Sequence, residues 1–349
     1  MKYIVRLIII LSVLMFYTTC NHTDIKKFVF EAELTGYRFP VSEIAFPIHM
    51  RIYNDYLILC QLNSPNFLPN VFFHIYSLSD NTYKGAFGHR GRGPGEWINP
   101  NIAYSSANSK YLYISESISN NSIIYKMVLD SINQLTETDR FSVKKEGVSI
   151  SNLVVSKDSL FIFDEYPPEP ALNVHHLSGD HPVFTWKYGS KSDNIFLNED
   201  RGTLRANDSH VIFLYNYKDR IDFMDWNLKL KKRLNYQKNE SVIQDFMDIT
   251  VYYNSGAYLG EKFLYALRLG MSNREYTIKR QQNEEVLELE VFDLNGTPIC
   301  RYTFSELAPT EFVVDERTFM LYGYRGSDTD NDFISVYPLP GLKEYLQNQ

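Results

Sequence analysis

The chain has 349 residues, of which 44% are hydrophobic and 22% charged, and its formal net charge is −7 at pH 7. This balance is typical of a globular protein and excludes a largely disordered chain. The negative charge argues against a nucleic-acid partner, because phosphate backbones are bound by basic surfaces. Aromatic residues make up 15% of the chain, which favours β-structure, since their side chains suit a pleated, half-buried surface.

The first 20 residues have the features of an export signal. Lys2 and Arg6 form a positive start, and the ten-residue apolar core 7–16 follows. Such a core is too short to span the ~30 Å hydrocarbon layer of a bilayer as a helix. Because the core ends shortly before Cys20, the segment resembles a bacterial lipoprotein signal, in which the cysteine after the cleavage site is acylated.

This resemblance implies lipidation of Cys20, a short tether over 21–27 and attachment to a membrane through the lipid alone. The residues Tyr17 to Thr19 depart from the usual Leu-Ala-Gly type of box before the cysteine, a departure that Bacteroidetes tolerate. We therefore expect a protein of the cell envelope, anchored at the outer membrane, with the face of that membrane left open. The alternative is an ordinary cleaved secretion signal with an incidental cysteine.

Two sequence patterns each recur six times at a spacing of about fifty residues. The first is an apolar–x–x–apolar column, with first positions 49, 50, 49, 68 and 45 residues apart. The second is a polar turn followed by a short apolar strand. The six copies of the first pattern start at Ile75, Ile124, Val174, Phe223, Val291 and Val336. The polar turns are Asn54-Asp55, Ser109-Lys110, Lys157-Asp158, Asn207-Asp208, Gly260-Glu261 and Asp315-Glu316.

Units of this length, with several short strands and polar turns, are typical of the blades of a β-propeller. The two columns predict an all-β fold, a six-bladed propeller with four-stranded blades over 28–349. The long fourth interval indicates an insertion in blade five, and the polar stretch 271–285 within it is interpreted as an extended hairpin or loop. The last unit stops early, so we expect an N-terminal strand, 27–34, to complete blade six and close the ring.

A glycine-rich loop follows the first unit and carries a family resemblance. Residues 91–97 read Gly-Arg-Gly-Pro-Gly-Glu-Trp, without the lysine and serine of a phosphate-binding loop and without a following helix. The loop suits a tight crossover between blades, because glycines permit positive φ and proline stiffens a bend. It resembles the hallmark loop of the six-bladed, TolB-like or NHL-like propeller lipoproteins of Bacteroidetes. That resemblance implies a fold and an envelope location, and it transfers no catalytic residue.

Candidate ligand-binding residues lie in two places. In a propeller the innermost strands line a channel, and we place these strands at 46–52, 100–105, 149–155, 201–206, 247–252 and 309–314. Their polar members include His49, Arg51, Arg201, Arg205, Asp248 and Glu311. The glycine-rich loop adds Arg90, Arg92, Glu96 and Trp97. The structural alternatives are a water-filled polar channel, a local Arg92–Glu96 ion pair and a Trp97 that plugs the space between blades.

Two function classes fit this fold, because a propeller fixes no chemistry by itself. The first is a non-enzymatic binding or scaffolding protein that recognises a peptide, a protein or a glycan through one channel mouth, without a cofactor. The second is a metal-dependent hydrolase or lyase on a sugar-derived substrate, as in gluconolactonase-like propellers. It would need a divalent cation held by oxygen or nitrogen ligands, for which His49, Asp248 and Glu311 are the candidates.

Other possible metal motifs are weaker. The acidic run Asp328 to Asp332 lacks the glycine and glutamate of a calcium loop. His175 and His176 are adjacent in a predicted strand and should point to opposite faces. Cys60 and Cys300 have no metal-binding spacing, and the sequence leaves open whether they are buried thiols or a disulfide.

Overall fold

The structure is a computed structural model with a full set of side chains. It describes residues 26–44, 47–61, 70–93, 96–106, 109–118, 121–131, 134–144, 150–156, 160–165, 171–179, 181–188, 200–236, 247–253, 256–282, 284, 286–325 and 333–348. The predicted export signal, most of the tether and the acidic run 328–332 lie outside these residues.

Six antiparallel sheets follow one another along the chain and form the blades of a propeller. Blade one contains Pro47–Tyr53, Tyr56–Gln61, Val71–Ser77 and Tyr83–Arg90, and the short strand Glu96–Trp97 pairs with its outer edge. Blade two contains Pro100–Ile102, Leu112–Ile118, Asn121–Ser131 and Gln134–Lys144. Blade three contains Ile150–Ser156, Leu160–Glu165, Ala171–His176 and Pro182–Lys187. The strand Tyr104–Ser105 pairs in parallel with the inner strand of blade three.

The last three blades complete the ring. Blade four contains Gly202–Ala206, Val211–Tyr215, Arg220–Met224 and Leu230–Asn235. Blade five contains Ala257–Leu259, Phe263–Arg268, Glu288–Asp293 and Pro298–Phe304, with Phe30–Leu34 added in parallel at its outer edge. Blade six contains Glu311–Asp315, Met320–Tyr324 and Phe333–Pro338, and its outer strand is Tyr37–Pro40. The six-bladed all-β fold predicted from the two repeated columns is therefore confirmed.

The apolar runs of the repeats become strands because neighbouring blades cover both of their faces. In blade four the second strand, Val211–Tyr215, is buried at every position, whereas the outer strand Leu230–Asn235 is mostly exposed. The turns before these second strands need backbone freedom, and Asn54 accordingly adopts a left-handed φ of 52°. Burial of continuous apolar strands between blades supplies the main stabilising term.

An N-terminal strand closes the ring, as predicted, but it is a later segment than the one expected. Tyr37–Pro40 pairs antiparallel with Phe333–Pro338, whereas Phe30–Leu34, within the expected 27–34, pairs with blade five. Without the N-terminal segment, Pro298–Phe304 of blade five and Phe333–Pro338 of blade six would each have an unpaired edge. Phe30–Leu34 covers the first edge and Tyr37–Pro40 covers the second. The crossing requires Gly36, because a Cβ there would lie 2.6 Å from the Tyr337 ring.

The insertion in blade five was predicted wrongly as a hairpin or loop. It contains a helix, Asn273–Gln281, whose N-cap Ser272 accepts a hydrogen bond from the Glu275 N–H. The helix buries no residue fully, so its sequence lacks the apolar periodicity that identifies a helix.

The expected inner strand of blade five was also misplaced. Thr250–Val251 pairs with Met271–Ser272 outside the sheet, and Ala257–Leu259 is the inner strand. A second helix, Leu342–Gln347, ends the described chain.

The propeller has two faces that are used below. The mouth face is defined by the turns between the first and second strands of each blade, which are the polar turns of the repeat. The far face is defined by the connections between the second and third strands, and it carries the blade-five helix. The Leu78 N–H donates to the Asp55 carbonyl, which shows that the turns between third and fourth strands also lie at the mouth face.

Candidate functional site

Side chains from opposite sides of the ring meet at its centre. The Tyr104 hydroxyl, from the short strand between the first two strands of blade two, donates to Glu311 Oε1 of blade six at 2.9 Å. The Arg205 guanidinium of blade four donates to the same hydroxyl at 2.9 Å and stacks on the Tyr104 ring at 3.9 Å. His49 of blade one lies 3.7 Å from Glu311 Oε1. Four strands thus contribute to one central network.

A second layer of the network lies toward the mouth face. The Arg51 guanidinium donates to the Ser106 carbonyl at 2.5 Å, and the Ser106 hydroxyl donates to Glu261 Oε1 at 2.5 Å. Arg51 and Arg205 are both buried, and Arg205 also donates to the Ala257 carbonyl at 2.5 Å. Burial lowers the pKa of Arg51. The two guanidinium groups are therefore held by backbone carbonyls and, for Arg205, by the Tyr104 hydroxyl.

The phenols of the network are kept neutral. Burial raises the pKa of Tyr258 to about 12, although the nearby Arg51 cation acts in the opposite direction. Burial likewise raises the pKa of Tyr104 above its ordinary value. Both phenols therefore remain hydrogen-bond donors at physiological pH.

A cavity of about 440 Å³ opens above this network on the mouth face. The polar turns of blades one, two, five and six surround it, and the ends of three inner strands form its walls. Its lining residues are Ile52, Asn54, Ser109, Lys110, Tyr258, Glu261, Lys262, Val314, Asp315, Glu316 and Arg317. Tyr258 and Glu261 belong to both the cavity and the surroundings of Arg51, so the central network forms the cavity floor.

Glu316 of blade six holds the blade-five turn at the cavity rim. Its carboxylate accepts hydrogen bonds from the backbone N–H groups of Glu261, Lys262 and Phe263, at 2.8, 3.0 and 3.1 Å. A side chain at Gly260 would collide with this carboxylate, since a Cβ there would lie 2.2 Å from Glu316 Oε1. Burial raises the pKa of Glu316 despite these bonds.

Arg317 joins blade six to blade one on the same rim. It forms a two-point contact with Asp315, at 2.9 and 3.0 Å, and reaches Asp55 Oδ1 at 2.6 Å. On the opposite side of the ring, Asn207 donates to the Gly260 carbonyl at 2.7 Å. The turns that surround the cavity are therefore tied to one another rather than independent.

The structure brings four of the six predicted channel residues together and separates the other two. His49, Arg51, Arg205 and Glu311 all belong to the central network. Asp248 does not, because it precedes the misplaced strand, is 60% exposed and pairs with Arg274 of the blade-five helix at 2.6 Å. Arg201 precedes the inner strand of blade four, and its carbonyl accepts a hydrogen bond from Asn216 at the far face.

The separation of Asp248 has a consequence for metal binding. The candidate set of His49, Asp248 and Glu311 is not assembled, since Asp248 lies at the far face. Across the described parts of the chain, no group of three His, Cys, Asp or Glu side chains is arranged to hold an ion.

The glycine-rich loop is built as a structural crossover. Trp97 is buried between blades one and two, with edge-on contacts to Phe73 and Tyr125 at 5.9 Å each. Glu96 accepts a hydrogen bond from the Gly93 N–H at 2.7 Å, and a side chain at Gly91 would collide with its carboxylate. Trp97 is therefore the plug between blades that the sequence offered as the alternative reading.

The arginines of the loop are not part of this plug. Arg90 and Arg92 are exposed. Both residues of the suggested Arg92–Glu96 ion pair are described, and this pair is not among the ion pairs that the described residues form. Arg90 and Arg92 remain candidate contacts for a ligand at the edge of blade one.

The remaining cysteines and histidines are structural. Cys60 and Cys300 are buried free thiols in blades one and five, and burial raises the pKa of Cys300 to about 11. His175 is buried and stacks on Phe161 at 5.0 Å, whereas His176 is exposed. The alternation predicted for the two histidines is thus confirmed.

Several residues of the central network and the cavity were not predicted from the sequence, namely Tyr104, Ser106, Tyr258, Glu261, Lys262 and Arg317. The signal for three of them was present. Glu261 belongs to a polar turn of the repeat, and Lys262 and Arg317 each follow such a turn directly. Turns that recur in every blade of a ring must gather around its axis at one face, so the polar turns indicate the position of the cavity as well as the number of blades.

Comparison with known proteins is consistent with this architecture. The family described as TolB-like 6-blade propeller-like matches residues 25–180. A crystal structure of a candidate exported protein from Bacteroides fragilis is similar with a TM-score of 0.53 and 12% identity, covering 88% of this chain and 98% of that one. The C-terminal WD40 domain of Sif2 is similar with a TM-score of 0.37 and 11% identity, covering 82% of this chain and 67% of that one. No curated protein matches the chain.

Proposed function

From the premise that this chain is a six-bladed propeller of the TolB-like type, we propose that it is an envelope-anchored binding or scaffolding protein. It recognises a peptide, a protein segment or a glycan through the cavity on the mouth face. The observation that carries this proposal is the cavity itself, which four blades line with converging polar side chains.

The lining indicates what the ligand must offer. Lys110, Lys262 and Arg317 supply cationic donors, while Glu261 supplies an anionic acceptor. Tyr258 adds an aromatic surface with a neutral hydroxyl. A ligand with several donors and acceptors on a short chain, such as two or three peptide residues or a disaccharide, fits the volume of about 440 Å³.

The rim is arranged for binding before the ligand arrives. Glu316 fixes the backbone of the turn that carries Lys262, and Asp315 fixes the Arg317 guanidinium, so the turn and the Arg317 cation lose little freedom on contact. Preorganisation of this kind increases affinity because the entropy of ordering is already lost in the free protein. For the metal-dependent hydrolase or lyase, no specific observation favours the assignment, since the candidate ligands are separated.

The envelope location rests on the N-terminal pattern. Residues 1–20 resemble a lipoprotein signal with Cys20 as the acylated residue, and the similar Bacteroides fragilis protein is described as exported. We propose attachment to the outer membrane through this lipid, with the propeller in the aqueous compartment. Within the described residues no helix is long and apolar enough to cross a bilayer.

A glycan array and a peptide library screened with the purified propeller test the binding proposal. Any ligand found is then titrated against Lys262→Ala and, as a matched control, Lys343→Ala in the exposed C-terminal helix. We expect Lys262→Ala to lower affinity about tenfold, the effect of one lost charged contact, and Lys343→Ala to leave it unchanged. Equal affinity of both variants for every ligand would place binding elsewhere.

A further inference from the structure

The described chain begins with a lysine held in a cage of acidic and aromatic side chains. Lys26 Nζ lies 2.8 Å from Asp219 Oδ1 and 3.0 Å from both oxygens of Glu290, and it donates to the Tyr253 hydroxyl at 2.9 Å. It also sits over the Tyr236 ring at 4.5 Å. The lysine side chain is 14% exposed and that of Glu290 is 1% exposed, so the contact is nearly dry.

The cage is balanced in charge and belongs to two blades. Arg268 of blade five donates to Asp219 of blade four at 3.0 Å and lies 3.7 Å from Glu290. Two cations therefore face two buried carboxylates. Burial raises the pKa of Glu290, while Lys26 and Arg268 act to lower it. Asp219 lies in the connection between the second and third strands of blade four, so the cage is on the far face.

The residues directly after Lys26 are held against blade five by ring packing and a backbone hydrogen bond. Phe28 packs edge-on against Phe292 at 6.0 Å, and the Val29 N–H donates to the Ile299 carbonyl at 2.9 Å. The strand Phe30–Leu34 follows directly. The tether expected over 21–27 is thus already docked at Lys26, although Lys27 is exposed. Six peptide steps separate Cys20 from Lys26, and a fully extended chain of that length reaches about 20 Å.

The blade-five helix lies on the same face, close to the cage. It begins five residues after Arg268, which is itself part of the cage. The helix carries three basic side chains, Arg274, Lys279 and Arg280, and one acidic side chain. Ile278 on this helix is 50% exposed. Arg274 pairs with Asp248 and Lys279 with Glu275, so the basic side chains of the helix exceed these two acids by one. This small positive excess and the exposed Ile278 suit contact with anionic headgroups.

We propose that the far face at the boundary of blades four and five rests on the headgroup surface of an anionic phospholipid bilayer, so that the cavity on the mouth face opens away from the membrane. This inference rests on the proposed lipid anchor at Cys20. The Lys26 cage limits the anchor to about 20 Å of chain, which brings the blade-five helix and its exposed Ile278 to the lipid surface. The polar turns of the opposite face are then presented to soluble partners.

Energy transfer from two labelled positions tests this orientation. The full lipidated protein is reconstituted in vesicles of phosphatidylethanolamine and phosphatidylglycerol that contain acceptor-labelled headgroups. A donor dye is attached to Ile278→Cys on the far face or to Lys262→Cys on the mouth face. The native thiols Cys60 and Cys300 are buried, and burial raises the pKa of both, so neither should react with the dye.

We expect transfer from position 278 to exceed that from position 262 at least threefold. Equal transfer, or greater transfer from 262, would overturn the orientation. The intact mass of the same preparation separates this result from a failure of the anchor. If the lipid mass is absent from Cys20, the anchoring proposal itself is wrong, whereas a lipidated protein with equal transfer refutes the orientation alone.

Lys26→Ala provides a second measurement. Opening the cage frees Lys26 and Lys27, which lengthens the free tether by about 7 Å. The far face is then held less closely to the bilayer, so the ratio of transfer between positions 278 and 262 should fall. Lys27→Ala, which removes the neighbouring exposed lysine, should leave the ratio unchanged. An unchanged ratio in folded Lys26→Ala would refute the role of the cage in orienting the protein.

Discussion

The mouth face and the far face of this propeller are built from different kinds of sequence. The mouth face consists of turns that recur in every blade, and its cavity forms because these turns converge on the ring axis. The far face at blades four and five consists of segments that occur once, namely the docked Lys26 and the helix Asn273–Gln281. Repetition thus creates the candidate binding site, and departures from repetition create the candidate contact with the membrane.

Each face also contains a buried ionic cluster, but the clusters connect different parts of the chain. Arg205 and Glu311 join through Tyr104 across the centre of the ring. Lys26 and Glu290 join the N-terminal segment to blade five. Loss of a central cation should therefore affect the whole ring, whereas loss of Lys26 should affect mainly the attachment of the segment before the first strand.

The largest effect is expected from Arg205→Ala. The change removes a buried guanidinium bound to Tyr104 and the Ala257 carbonyl, leaving Glu311 with less compensation. The free energy of unfolding should fall by about 3–5 kcal/mol, because two hydrogen bonds from a buried cation are lost, each of which contributes about 1.5–3 kcal/mol. Urea denaturation measures this loss. The exposed Arg90→Ala is the control, expected within about 0.5 kcal/mol of the native protein. Equal midpoints for both variants would contradict a structural role of the central network.

A buried histidine that belongs to neither face should make the stability of the protein depend on pH. His74, in the third strand of blade one, is fully buried, and burial lowers its pKa to about 4 from an ordinary value of 6.5. Because the unfolded state binds the proton more readily, this group's stabilising contribution is complete above pH 6.5 and is lost as the pH falls from 6.5 to 4. The loss amounts to about 3 kcal/mol.

The test of this pH dependence compares the native protein with His74→Leu. The buried Glu290 and Glu316, whose pKa values are raised by burial, contribute with the opposite sign in both proteins and therefore cancel in the difference. The free-energy difference between the two proteins should change between pH 7 and pH 4. A difference that is constant over this range would show that His74 is already protonated, or solvated, in the folded state.

Lys26→Ala should have a smaller effect on stability than Arg205→Ala. Arg268 remains to compensate Asp219 and Glu290, so the loss should be about 2–3 kcal/mol, at or below the range for breaking a buried pair. Lys27→Ala is a matched control one residue away, exposed and expected to be neutral. Hydrogen exchange should localise the difference to Phe30–Leu34 and its partner strand. Increased exchange across all six blades would instead make the two faces equivalent.

The sequence predicted the repeated part of the molecule well. Six copies of the polar turn and six copies of the apolar column predicted the number of blades. The predicted inner strands contained His49, Arg51, Arg205 and Glu311, which the structure brings together. These predictions succeed because each blade repeats the same burial pattern, so an error in one copy is corrected by the others. For Trp97 the sequence left open both ligand binding and a packing role between blades, and the structure shows the packing role.

The unique segments could not be predicted in the same way. The helix Asn273–Gln281 buries none of its residues, so no apolar period marks it. The inner strand of blade five was predicted too early in the chain, since Ala257–Leu259 directly precedes the polar turn Gly260-Glu261. Asp248 was placed in the channel for that reason. The closing strand was predicted a few residues too early. Phe30–Leu34 and Tyr37–Pro40 both alternate in burial, and each covers the open edge of a blade. Only tertiary pairing distinguishes them.

The smallest effect should come from Glu316→Gln, which tests whether the mouth face is preorganised. The amide keeps the size of the side chain, but its nitrogen cannot accept, so the hydrogen bonds made by one of the two carboxylate oxygens to the blade-five turn are lost. The stability loss should be about 1–2 kcal/mol. The amides of Lys262 and Phe263 should exchange faster, since their acceptor is no longer charged. Glu344→Gln, whose carboxylate accepts a single bond from the exposed Gly341 N–H, is the control. If the Lys262 amide stays as protected as in the native protein, the turn is held by packing alone. The cations of the mouth face would then owe their positions to the blade body rather than to the rim contacts.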